Sequence, residues 1–548
     1  MQWLDWLILI VYLGSLTAIG FYFSRRQSSF NEFFKGGQRV GWLAVGVSLM
    51  AALNSGMDYI QTPAVVFAFG MVYVALVLTW IPLYPWVTRV TIPFYRRLNV
   101  NSVYEYLERR FGLGVRITAS TIFVLWRIGW MGVALYVPCL AVKGAMGNDL
   151  DITWLVIALG AIVTLYTMLG GMKAVIWTDV LQFCVMFTGL FATLAFIVSS
   201  VPGGFSQVWT AAHDAGRLSF AAQIPGFAEA DFAGKLYLYF TTEVTFVGIV
   251  ICILIGRLAA FTSDQIAVQR FQTIDTYREA RNVFLVSALT DVVWMVVLGF
   301  VGLALFAYFR YQPFPEGLQN DRILPYFMAK NFPVGLTGLV VASIFAASLS
   351  SVDASLNSTT SIIVVDFYNR LWLGRTETVG HLSPQEERQQ VIASRCINAA
   401  LGAFMTVIAA NVEQMGEIYT IANKLLGAFF GILLGIFVLG MFSRRAHSRV
   451  VLLGALAGLA SSCFLSFFSE LTGLHDFFRA MLGQSFVKFC SHISWQWPPV
   501  VGVTVTLLVG YLGSRIVPAP PSDAAPLTYW EVMQKSDPEA ELARELHF

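Results

Sequence analysis

Apolar stretches long enough to cross a bilayer recur thirteen times along this chain, with no intervening segment long enough to fold as a separate water-soluble domain. A hydrocarbon core of about 30 Å takes about 20 apolar residues of helix. The windows fall at 3–23, 41–69, 71–93, 117–143, 152–169, 172–200, 236–260, 283–309, 334–369, 394–411, 416–442, 448–470 and 496–516. In hydrocarbon each backbone N–H and C=O must be paired inside the protein, so windows of this length are helices. The predicted fold class is all-α, a polytopic membrane protein of about thirteen transmembrane helices in one transmembrane domain, 1–516, followed by a tail, 517–548. Only 12% of the residues are charged, about half the usual share of a soluble domain. A net charge of +2 gives no reason to expect a nucleic-acid partner. The first window lacks a basic n-region and a small-x-small cleavage site, and reads as a retained span.

Basic residues crowd alternate loops. The groups are Arg25, Arg26, Lys35 and Arg39; Arg96, Arg97, Arg109 and Arg110; Arg270, Arg278 and Arg281; Arg370, Arg375, Arg388 and Arg395; and Arg444, Arg445 and Arg449. By the positive-inside rule these loops are cytoplasmic, with the N-terminus outside and the C-terminus inside. The outer loops carry no N-x-S/T acceptor, which favours a bacterial inner membrane. NSVYEYLERRFG, 101–112, reads as an amphipathic helix on the cytoplasmic surface. The tail is Pro/Ala-rich and then acidic, and is expected to be disordered and cytoplasmic. A signalling module is not expected in it. Six cysteines form no C-x-x-C pair, and six histidines no H-E-x-x-H pair, so a metalloenzyme is not expected.

The chemistry lies in polar residues inside apolar windows, which cost several kcal/mol unless satisfied. In FAASLSSVDASLNSTTS, 345–361, helical spacing puts Ala347, Ser350, Ser351 and Ala354 on one face, with Asp353 and Asn357 beside it. Hydroxyls, carbonyls and a carboxylate are hard oxygens of the kind that suit Na⁺. Close helix packing through small residues is the bland alternative. In GVSLMAALNSGMDYIQTPAVVFAFG, 46–70, Asn54, Ser55, Gly56 and Asp58 interrupt an apolar helix, as at the discontinuous spans of transporters. Asp179 sits about two turns into its window in GGMKAVIWTDVLQ, AAFTSDQIAVQRFQT forms a polar end to the seventh, Arg127 and Arg257 are intramembrane cations, and Asp291 is an intramembrane anion.

GGMKAVIWTDVLQ, SDQIAVQR, VYEYLERRFG, AASLSSVDASLNSTTS with DFYNR behind it, and GILLGIFVLGMFSRR resemble the signature segments of the sodium/solute symporter family, in order across the second to eleventh spans. The resemblance implies a LeuT-type fold, inverted repeats at about 41–200 and 236–442, with one extra N-terminal and two extra C-terminal helices. It implies a main sodium site at Ala51, Asn54, Ala347, Ser350 and Ser351. A second sodium, bound by some members, would use Asp179, Ser350 and Asp353, although Asp353 and Ala354 stand where hydroxyls are usual. Asp353 could equally be an ion-pair partner. Sugar-contacting positions of the sodium/glucose relatives fall on Asp58, Val77, Trp80, Arg257, Thr290 and Asn423. With Arg127, near an arginine that sialic-acid carriers use, and Gln61, the substrate-facing set is Asp58, Gln61, Arg127, Arg257, Thr290 and Asn423. Arg127 reads alternatively as an internal ion-pair partner of Asp58 or Asp291.

The implied activity is import of a small polar solute with one or two Na⁺ by alternating access, through a chain expected to act as a monomer. An acidic sugar such as sialic acid, or another small carboxylate, is the first expectation. A neutral sugar or polyol is the second. A proton-coupled carrier and a solute sensor of the same fold are the rivals.

Overall fold

The computed structural model describes residues 1–24, 40–98, 100–146, 151–221, 224–375, 383–412, 418–518 and 527–534, and all regular structure among them is helical. The helices are α1 (Trp3–Ser24), α2 (Trp42–Leu53), α3 (Gly56–Phe69), α4 (Tyr73–Leu98, passing through 3₁₀, α and π geometry), α5 (Glu105–Phe111), α6 (Leu113–Met146) and α7 (Thr153–Ser199). After these come α8 (Gly204–Asp214), α9 (Phe232–Thr241), α10 (Phe246–Thr262), α11 (Gln265–Phe271), α12 (Tyr277–Tyr311), α13 (Ile323–Asn331) and α14 (Leu336–Ile362). The last are α15 (Pro384–Asn411), α16 (Ile418–Phe442), α17 (Ser448–Phe467), α18 (Thr472–Leu482), α19 (Gln484–His492), α20 (Trp497–Ile516) and α21 (Tyr529–Met533).

Nine helical segments among the described residues are long and apolar enough to span a bilayer, or eleven with the bent pairs α2–α3 and α9–α10. The sequence reading has thirteen, and two differences account for this. Windows 152–169 and 172–200 both lie in α7, whose 47 residues would measure about 70 Å, over twice a bilayer core. At Gly171 (φ 53°, ψ −163°) the backbone leaves helical geometry, so α7 is two arms joined at a glycine. Window 416–442 corresponds to α16, of which Gly427–Phe442 alone qualifies, as a shorter apolar helix.

The chain forms two compact units, Met1–Val77, Arg127–Phe220 and Gln265–Tyr419 in the first and Leu78–Trp126, Ala221–Asp264 and Thr420–Phe548 in the second. The repeats expected from the sequence each contribute to both.

In the first unit α14 is the core helix: every residue from Val340 to Ile362 is buried, and the helix continues as a π-helix, Ile363–Trp372. A helix buried on all sides presents its polar residues to other helices. Here α1, α2, α3, α7 and α15 surround it. α2 and α3 meet at 62°. The break is local chemistry: Asn54 and Ser55 are extended, and Ser55 with Asp58 forms a capping box that restarts the helix. Gly56 allows close approach, since a Cβ there would lie 2.2 Å from Ser348 Oγ and 2.7 Å from the Ile344 carbonyl.

In the second unit α17 and α20 pack through small residues, a Cβ on Gly454 falling 2.7 Å from the Thr506 carbonyl. The expected amphipathic segment is α5, with Tyr106 and Leu107 buried and Arg110 donating to the Ser443 carbonyl at 2.8 Å. The tail departs from the disorder expected after 517: LTYWEVMQ is described, with α21 inside it. Tyr529 Oη donates to the Arg89 carbonyl (3.0 Å), Tyr106 Oη to the Leu527 carbonyl (3.1 Å), and Val532 is fully buried. An aromatic and a valine on one turn give this short stretch an apolar face that the flanking polar residues hide in a composition count.

Candidate functional site

Helix α2 ends because Asn54 turns extended. Its side-chain amide donates to the Met50 carbonyl and to Asp291 Oδ1, both at 3.0 Å, tying the break to α12. In a continuous helix the Ser55 amide would bond the Ala51 carbonyl. Here it donates to Asp58 Oδ2 at 2.6 Å instead, and the Ala51 carbonyl accepts from Ser350 Oγ at 2.9 Å. Ser350 Oγ also lies 3.0 Å from the Ala347 carbonyl. Hard oxygens of Ala51, Ala347 and Ser350 thus converge in a fully buried place. Ser351 is buried one residue on, with its hydroxyl donating to the Ser348 carbonyl at 2.9 Å within its own helix. Such an oxygen set matches an alkali cation in hardness. Among the described residues no group of three His, Cys, Asp or Glu side chains could hold a metal ion.

A second polar cluster joins α2, α7, α11 and α14. Asp179 accepts from Ser48 Oγ at 2.5 Å and from Arg270 Nη2 at 2.9 Å, and Arg270 Nε donates to Ser48 Oγ at 2.9 Å. Arg270 and Asp179 are 1% and 0% exposed, which makes this a fully desolvated ion pair. Asp353 accepts from Tyr166 Oη at 2.9 Å and lies in electrostatic reach of Asp179 and Arg270. Oδ1 of Asp179 and Oδ1 of Asp353 have no hydrogen-bond partner among the described residues.

Asp58 is held at the start of α3 by the capping box, and Gln61, half-buried, lies one turn on. Arg127 is buried on α6, with Nη1 3.3 Å from Ser355 Oγ. Thr290 donates back to the Val286 carbonyl at 2.7 Å. These belong to the first unit. Arg257 belongs to the second, where it donates to Thr79 Oγ1 at 2.7 Å and lies 4.2 Å over the Trp80 ring. The Asn423 side chain lies outside the described residues, as does the basic loop from Arg25 to Arg39.

The sequence reading missed Arg270, Ser48 and Tyr166. Arg270 counts as a loop cation when charges alone are tallied. The signal that separates it is its setting in QIAVQRF, where it is the one charge. Ser48 lies one turn before Ala51 on a helix whose buried residues are otherwise apolar or glycine.

The sequence pattern of the sodium:solute symporters matches residues 33–459. The chain belongs to the Sodium:solute symporter family. It is 30% identical over 493 residues to the sodium/sialic acid symporter NanT of Aliivibrio fischeri, covering 90% of this chain and 92% of that one. Human sodium-coupled monocarboxylate transporter 1 is 29% identical over 479 residues, 84% of this chain and 73% of the relative. A solved substrate-bound, outward-open Na⁺-coupled sialic acid symporter superposes with a TM-score of 0.79 at 27% identity, over 95% of this chain and 100% of that one. The nucleobase-cation symporter Mhp1 (TM-score 0.52, 15% identity, 90% and 96% covered) shares the fold. The symporter is therefore a multi-pass membrane protein of LeuT-like fold that couples solute movement to sodium, and not an enzyme.

Proposed function

We propose that this symporter imports a small organic carboxylate with Na⁺ bound between α2 and α14. The observation that carries the ion site is the Ser350 hydroxyl against the freed Ala51 carbonyl, with Ala347 beside it. Sodium there would take Ala51, Ala347 and Ser350 as ligands, with Ser351 and the Asn54 backbone completing the shell. Bridging two helices, the ion favours the arrangement in which they stay together, and solute binding nearby favours closure. Loss of sodium on the low-sodium side then releases the solute. Ionised together, Asp179 and Asp353 would set two negative charges against the one positive charge of Arg270, and an uncompensated buried charge is costly. A second cation at their Oδ1 atoms would balance it, giving two sodium ions per cycle. The orientation that fits the basic loops puts the N-terminus outside and the C-terminus in the cytoplasm of a bacterial inner membrane. The proposed working form is a monomer.

Arg127 supports the carboxylate reading: a buried guanidinium offers bidentate hydrogen bonds to a carboxylate. The relatives named for sialic acid and monocarboxylates agree with it. Asp58 favours a second reading, a neutral sugar or polyol, since a carboxylate at the start of α3 accepts from hydroxyls and repels anions. A thermal-shift screen of sialic acids, monocarboxylates, sugars and polyols, with and without sodium, chooses between them. Uptake of the hit into proteoliposomes, with sodium and proton gradients imposed separately, then tests the coupling. Uptake driven by the proton gradient alone would refute sodium symport.

A further inference from the structure

Helix α1 lies outside both expected repeats, yet it makes the first contact of the ion-site helix. The N-cap of α14, Gly335, provides no side chain, and the cap comes from a residue 330 positions away. Asp5 Oδ1 accepts from the amides of Gly335 and Gly338, both at 2.8 Å, and Oδ2 accepts from the Gln2 amide at 2.7 Å. Asp5 is 1% exposed, so these are buried, charge-assisted bonds at the positive end of a helix dipole. The approach depends on glycine: a Cβ on Gly338 would fall 2.4 Å from Asp5 Cα.

The contact continues down one stripe. Leu9, Tyr12 and Leu16 follow Asp5 at helical spacing, and all are buried. Tyr12 Oη faces Gln182 of α7, with Asp179 and Asp353 in electrostatic reach. At Gly20 a Cβ would lie 2.6 Å from Tyr166 Cβ, and a Cβ on Gly170 would lie 3.4 Å from Gly20 Cα, one residue before the Gly171 break. Tyr166 in turn donates to Asp353. One helix therefore touches α14 at its start and α7 at its break.

We propose that α1 positions the ion site, with Asp5 as a positioning residue that sets where α14 sits along its axis and so where Ser350 and Ser351 stand against Ala51. α14 is unbroken from Leu336 to Ile362, so a displacement at Gly338 is carried along about 18 Å of rigid helix to Ser350. The inference rests on the sodium-site assignment above.

The test is the sodium dependence of uptake in the full-length protein, read as half-saturating sodium and maximal rate separately. Asp5→Ala is expected to raise half-saturating sodium about tenfold with the maximal rate kept within about twofold, since its bonds set geometry rather than contact the ion. Asp5→Asn keeps an Oδ1 acceptor for both glycine amides, and is expected to restore most of the affinity. Gly338→Ala, which pushes α1 away with Asp5 intact, should reproduce the Asp5→Ala shift and decides the matter if that variant does not reach the membrane. Unchanged half-saturating sodium in Asp5→Ala or Gly338→Ala, or a fall in maximal rate alone, overturns the positioning role. Ser351→Ala measured beside them judges the site assignment separately: a shift there without one in the Asp5 variants overturns the role of α1 and leaves the ion site standing.

Discussion

Ser350 and Ala51 are 299 residues apart in sequence and meet at 2.9 Å, the hydroxyl of one on the carbonyl of the other. The contact exists because the Ser55 amide, the usual helical partner of that carbonyl, is bound to Asp58 instead. A broken helix and a continuous one thus share an oxygen cluster that neither holds alone.

Removing the shared hydroxyl should weaken sodium more than it weakens the fold. Ser350→Ala is expected to raise half-saturating sodium for uptake at least about tenfold, because it deletes a proposed ligand and leaves the buried Ala51 and Ala347 carbonyls without its hydroxyl. Ser351→Ala should give a smaller shift in the same direction. Uptake against sodium concentration reads both.

The Asp179–Arg270 pair makes a different prediction, on stability. Removing one partner of a buried ion pair costs about 3–5 kcal/mol, since the other charge is left uncompensated. Arg270→Met should therefore destabilise strongly, and Arg270→Met with Asp179→Asn should recover much of the loss. Thermal unfolding of the four proteins of this cycle in detergent reads the coupling.

Gly56 tests the close approach of α3 to α14. A methyl group there would press on Ser348 Oγ and the Ile344 carbonyl, so Gly56→Ala should cost about 1–3 kcal/mol and abolish transport. Gly114→Ala, with nothing within 4 Å of its Cβ, should leave both unchanged.

The tail offers a graded comparison. Glu531 pairs with Arg444 at 3.1 Å, but Arg444 is 67% exposed, and Glu531→Gln should change stability by less than about 1 kcal/mol. Val532→Asp puts a charge in a fully buried place and should release the segment, read as new protease cleavage after Arg515.

Much of this architecture is written locally. The apolar windows give the helices because their length matches a bilayer, and ALNSGMD gives the break because it pairs an extended Asn-Ser with a capping box. The oxygen face of α14 follows from helical spacing alone. What the sequence hides is pairing at a distance. Arg270 looks like a loop cation until α11 is seen buried, and Asp5 looks like an ordinary N-terminal charge until α14 is found to lack a cap of its own. The Gly171 break is hidden for another reason, because glycine inside a membrane helix is common and only its φ shows the turn.

The most direct measurement is the thermal unfolding midpoint of the purified protein titrated with sodium chloride and, separately, with potassium chloride at matched ionic strength. An ion site built on Ala51 and Ser350 requires the midpoint to climb with sodium and not with potassium, and the sodium response to disappear in Ser350→Ala. Equal responses to the two salts, or an undiminished sodium response in Ser350→Ala, would contradict it.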